Sequence, residues 1–178
     1  MAPKRSGSGM STPSDCTSAS QSPALAAIVA RYRQLLTAWN ERDAAQFVTL
    51  FAADGHVIGF DGGLMDGSTE IEASLRPIFA RHSTAAYVST LRGVAQLAPD
   101  VALLRAVACM VPLGGADLNG AVNAIQTFVA RKQDGAWYIT LYQNTPAAFH
   151  GRPELVKRMT QELLKAQTSG ANEAMRTN

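Results

Sequence analysis

The chain has 178 residues, 47% hydrophobic and 17% charged, which is one domain's worth with enough apolar side chains for a core. Its 16 basic and 14 acidic residues leave a net charge of +2, so bulk charge points to neither nucleic acid nor an anionic membrane as partner. Two cysteines make no disulfide framework, and no stretch reaches the ~20 apolar residues of a membrane span.

Residues 1–21 are mostly Ser, Thr, Gly and Pro with little to bury, and are expected to be a disordered leader. This leader has no apolar segment of the secretory kind, so a cytoplasmic protein is expected. Ser22 and Pro23 open a helix, and Leu25, Ile28, Val29, Tyr32, Leu35, Leu36 and Trp39 form one apolar stripe at helical spacing. Asp43 restarts a helix with Gln46 three residues on, burying Phe47, Leu50 and Phe51 until Asp54-Gly55 stops it. The stretch HVIGF (56–60) reads as an edge strand ended by an Asp61-Gly62-Gly63 turn. A third helix opens near Ser68 and Thr69, with Glu72 as a capping partner and Pro77 expected to kink or divide it.

The period then changes to two. Residues 87–97, 101–111, 122–131 and 137–144 read as four long strands. A helix from Pro153 to about Lys165 follows, and 168–178 is expected to be a disordered tail. The domain proper is expected over 22–152, with a C-terminal helix over 153–167. Strands bunched together after helices imply an α+β fold: a curved antiparallel sheet whose concave side is covered by the helices. Such a cone is a natural small-molecule pocket.

Three stretches, AWNERDAAQFVTLFAADG (38–55), GSTEIEASL (67–75) and WYITLYQNTP (137–146), resemble the SgcJ/EcaC subfamily of the SnoaL-like proteins. The element order is similar to the wider nuclear transport factor 2-like, or cystatin-like, superfamily. The resemblance spans about residues 24–150. It implies the cone fold and an apolar, oxygen-bearing ligand. Ketosteroid isomerase, a member, is similar enough over the first half for a residue-by-residue comparison. Its general-base position falls on Gly59, its oxyanion tyrosine on Tyr32 and its protonated carboxyl on Gln126. The base is thus missing, which argues against the same mechanism.

In a strand, alternate residues share a face, so Val57, Gly59 and Asp61 point together. Asp61 is either a displaced general base, with Gly59 leaving room for substrate, or a turn residue. Tyr32 is either a hydrogen-bond donor to a ligand oxygen or a core tyrosine. Gln126 on an apolar strand face needs a partner, whether ligand or side chain. Gln143 and Asn144 are pocket-mouth groups or backbone anchors, and Met65 beyond the turn is expected to touch substrate. The three histidines, His56, His82 and His150, are far apart in sequence with no ligand spacing, so no metal is expected. No dinucleotide, P-loop or nucleophile-elbow motif occurs, so no cofactor is expected either.

Two functions stay open: a small-molecule enzyme of the isomerase or cyclase kind, or a non-catalytic dimeric module that binds a ligand or another protein. Asn123, Ile125, Thr127 and Val129 share the outer face of their strand, and so apolar a face leads us to expect a homodimer through it.

Overall fold

The computed structural model of the chain describes residues 22–114 and 117–176. The expected leader, including Cys16, lies outside them. The elements are helix α1 (Pro23–Asn40), helix α2 (Ala44–Thr49), strand β1 (Phe51–Ile58), strand β2 (Leu64–Asp66), helix α3 (Ser68–Arg81), strand β3 (Ala86–Ala98), strand β4 (Val101–Val111), strand β5 (Asn123–Gln133), strand β6 (Ala136–Pro146) and helix α4 (Pro153–Arg176). A three-residue 3-10 turn, Gly120–Val122, precedes β5. Among the described residues, no helix is long and apolar enough to cross a membrane.

The strands make one six-stranded sheet in the order β2-β1-β6-β5-β4-β3. The α+β cone expected from the sequence is present, with one correction: the sheet is mixed, because β1 runs parallel to β6. The chain leaves β1 through the β2 hairpin and α3, then enters the sheet at its far edge. β1 is also interior, since the short β2 takes the edge beside it, pairing Val57 with Met65 and Ile58 with Leu64. Three residues are too few to show a strand's alternation, so β2 carried no sequence signal.

The second helix is shorter than expected. It ends at Thr49, and Phe51 starts β1 instead of closing the helix. Asp43 does cap it, accepting from the Gln46 N–H at 2.8 Å. Gly55 is not a helix stop but part of β1, where the ladder to β6 shifts register between Phe51 and His56. A Cβ there would lie 2.8 Å from the Ile139 carbonyl oxygen, so the close approach of the two strands requires glycine. α3 stays one helix through Pro77, and its N-cap is Gly67 without a side-chain capping bond, not Ser68 or Thr69. α4 runs past Lys165 and through most of the expected tail, to Arg176.

Two apolar layers hold the fold. On the concave side, Ile28, Tyr32 and Leu35 of α1, Phe47 of α2 and Ile71 and Leu75 of α3 pack on Leu104, Phe128 and Ile139 of the sheet. On the convex side, Met159 and Leu163 of α4 cover Val107 and Cys109. The outer face is therefore covered in part by the chain itself. Asn123, expected in an intermolecular interface, lies under α4 and donates to the Thr160 hydroxyl at 2.9 Å. Ile125 beside it remains 43% exposed.

Candidate functional site

The cone encloses a cavity of about 430 Å³, open at one end. Trp39, Phe47, Val57, Leu75, Tyr142 and Met110 make most of its wall, and Gly59, Asp61 and Met65 stand where β1 turns into β2. Trp39 is fixed by its indole N–H, which donates to the Ala85 carbonyl at 3.0 Å, and by an edge contact to Phe79.

A chain of buried hydrogen bonds runs from the core to the wall of this cavity. The Tyr32 hydroxyl donates to Gln126 Oε1 at 2.6 Å. Gln126 Nε2 donates to Asn144 Oδ1 at 3.2 Å, and Asn144 Nδ2 donates to the Tyr87 hydroxyl oxygen at 2.7 Å. Gln126 and Asn144 stand opposite each other on β5 and β6. Tyr87 belongs to β3, three strands away from Asn144 on β6, so only the curl of the sheet brings the two together. Asn40 at the end of α1 holds Tyr87 in place: its Oδ1 accepts from the Tyr87 N–H at 2.7 Å and its Nδ2 donates to the Tyr87 carbonyl at 3.2 Å.

All the bonds in this chain point the same way, toward Tyr87. Its hydroxyl oxygen accepts from Asn144, and its own O–H has no acceptor among the described residues. Tyr142 also lines the cavity, and its hydroxyl makes no hydrogen bond among the described residues. Burial pushes the Tyr87 hydroxyl up to about 12, partly offset by the hydrogen bond from Asn144. Burial raises Tyr142 well above the usual range, with Tyr87 and Tyr32 adding to it, and it raises Tyr32 more than the neighbouring Ser89 hydroxyl lowers it. These phenols therefore remain protonated near neutral pH.

The expected site residues divide into three groups. Gly59, Met65, Asp61 and Asn144 line the cavity. Tyr32 and Gln126 do not reach it. They are buried behind Asn144 and bonded to each other, so they support the site without touching a ligand. Gln143 faces the other way: it pairs with Thr127 on the outer face and donates to the Thr145 hydroxyl at 3.0 Å. Adjacent strand residues point to opposite faces, so Gln143 and Asn144 cannot both enter the cavity. Asp61 sits exposed at the rim, where its Oδ1 accepts from the Gly63 N–H at 3.0 Å and closes the turn. Tyr87, Tyr142 and Trp39 were not singled out by sequence. For Tyr87 strand parity was available as a signal, but its partner depends on the curl.

His56 points away from the cavity and bonds Asp66 at 2.8 Å on the surface. Among the described residues no three His, Cys, Asp or Glu side chains converge as a metal site.

Comparison with known proteins agrees with this architecture. A family model described as a SnoaL-like domain matches residues 28–148. Among curated proteins none matches. A domain of unknown function with a cystatin-like fold from Nostoc punctiforme PCC 73102 is 20% identical with a TM-score of 0.68, covering 89% of this chain and 100% of its own. A ketosteroid isomerase-like protein from Erwinia carotovora atroseptica SCRI1043 is 21% identical with a TM-score of 0.57, covering 70% and 97%. An NTF-2-like protein of unknown function from Shewanella oneidensis MR-1 is 18% identical with a TM-score of 0.58, covering 68% and 98%. At these identities the likeness is one of fold.

Proposed function

Because the chain belongs to the SnoaL-like domain family, we propose that its cone binds one neutral, largely apolar organic molecule by a carbonyl or similar oxygen. We read the three stretches singled out in the sequence as resembling the SgcJ/EcaC subfamily within that family. The observation that carries the proposal is the directional chain of hydrogen bonds ending at Tyr87. A phenolic donor that faces an apolar cavity without a protein acceptor is matched by a ligand oxygen. Each bond behind it polarises the next, which strengthens the last donor. Tyr142 offers a second donor on the same wall. No cationic side chain lines this cavity among the described residues, and the carboxylate of Asp61 stands at its mouth. Both features favour an uncharged ligand over an anion.

β-Tetralone and tetralin test the reading, because they share a shape and differ in one carbonyl. The ketone is expected to bind about tenfold more tightly, an advantage that Tyr87→Phe removes. Equal affinity for the two compounds contradicts the proposal.

A second reading, proton transfer by Asp61, has one observation in its favour. A Cβ on residue 59 would lie 2.9 Å from Asp61 Oδ1. The carboxylate thus occupies the space that a side chain at the isomerase base position would fill. Asp61→Asn keeps the turn and removes the base. Once turnover of a ketone is found, loss of about 10²–10⁴ in rate with unchanged binding supports this reading, and unchanged turnover makes Asp61 a turn residue.

A further inference from the structure

The convex side of the sheet carries a second depression, of about 300 Å³, between α4 and strands β3, β4 and β5. It shares no lining residue with the cone. Its floor is apolar, from Val107, Ile125, Phe149, Leu155 and Met159. Its lining also carries three arginines, Arg92, Arg105 and Arg158, and a single carboxylate, Glu162.

Local structure explains how the arginines gather. Two residues of β3, Arg92 and Gly93, stand against Arg105 of β4, a bulge in the ladder. Bulges re-aim a side chain, and this one delivers Arg92 to α4. There its guanidinium clasps both oxygens of Glu162, one of them at 2.7 Å, and holds that carboxyl below its usual range. Arg105 lies over the bare backbone of Gly93, its Nη2 being 3.6 Å from where a Cβ would sit. Among the described residues, neither Arg105 nor Arg158 comes within ion-pair distance of a carboxylate. Phe149 reaches the floor from a backbone φ of +41°, which a bulky residue rarely adopts without cause.

We propose that this groove binds a small amphiphilic anion, a monocarboxylate with an apolar tail. Three guanidiniums against one carboxylate leave positive charge uncompensated, and planar guanidinium forks match a carboxylate. The apolar floor selects an anion with a hydrocarbon body over a bare inorganic ion, which would leave the floor in water. The charge preference is opposite to that of the cone, so the two faces of one sheet take different ligands.

Calorimetric titration of the full chain with decanoate tests this, with decanol as the uncharged control of equal tail. Decanoate is expected to bind about tenfold more tightly than decanol, by an advantage that shrinks as salt rises. The double variant Arg105→Gln/Arg158→Gln should remove that advantage. Glu162→Gln removes the competing carboxylate, frees Arg92, and should tighten binding. Tyr87→Phe, in the cone, should leave decanoate binding unchanged. Equal binding of decanol and decanoate overturns the proposal, as does decanoate binding that survives the double variant or disappears with Tyr87→Phe. Sedimentation of the same samples adds one more outcome. A homodimer that buries Ile125 and excludes decanoate overturns the proposal and assigns this face to a second copy of the chain.

Discussion

On β5, successive side chains enter two different environments. Ala124, Gln126, Phe128 and Ala130 point inward and are fully buried, while Ile125, Thr127 and Val129 point outward and are covered only in part. Both rows look apolar in the sequence. The inner row is sealed by α1 to α3 and organised around one polar chain. The outer row meets α4 at the Asn123 end. A strand's alternation thus says which residues share a face, but other elements decide what that face becomes.

The largest expected effect tests whether the inner row carries the stability. Phe128→Ala is expected to cost about 3–5 kcal/mol, and Ile125→Ala less than ~1 kcal/mol, in denaturant unfolding. Similar costs for the two would erase the distinction between the faces.

Gln126→Leu cuts the polar chain in the middle of the inner row. It leaves the Tyr32 hydroxyl without its acceptor and Asn144 Oδ1 without its donor. Each stranded group is expected to cost on the order of 1–3 kcal/mol. Thr127→Val on the outer face serves as the control and should stay within about 0.5 kcal/mol.

Alkaline pH probes the same inner row without mutation. Tyr32, Tyr87 and Tyr142 all have folded-state values above their ordinary 10.0, chiefly because of burial. A group raised in the folded state contributes its full stability below the unfolded value and loses it as pH rises toward the folded one. Unfolding free energy is therefore expected to be flat to about pH 9 and to fall from about pH 10 toward 12. Tyr32→Phe should shallow that fall. A curve indifferent to pH across this window would show that the phenols are not buried.

Tyr87→Phe strands one group, Asn144 Nδ2, and loses no packing, so its effect on stability is smaller than that of Gln126→Leu. On the order of 1 kcal/mol is expected, alongside an about tenfold loss in ketone binding. A large loss of stability without a loss of binding would make Tyr87 structural.

Much of the architecture was legible because local signals agree. The stripe from Leu25 to Trp39, the Asp43 cap and the change to period two near residue 85 put helices and long strands close to their observed positions. What was lost depended on contacts distant in sequence. Phe51 has a helical residue's spacing from Phe47, yet β6 recruits it into the sheet. The parallel β1–β6 pair has no local signature, since only the chain's route through α3 determines it. For the site, the sequence marked Gln126 as a buried amide needing a partner, and partners were found. It did not show that these partners were Tyr32 and Asn144, nor that the donor facing the cavity would be Tyr87. Both facts follow from strand register and sheet curl, which lie beyond single-sequence periodicity. Asp-Gly-Gly was legible from the start as a turn, and Asp61 closes that turn.

The most direct measurement is the infrared carbonyl stretch of β-tetralone bound in the cone, compared between the wild-type chain and Tyr87→Phe. A donor at the end of a polarised chain should lower the stretching frequency below its value in an apolar solvent, and Tyr87→Phe should return it most of the way. An unshifted carbonyl in the wild type, or a shift that survives Tyr87→Phe, contradicts the role assigned to this tyrosine.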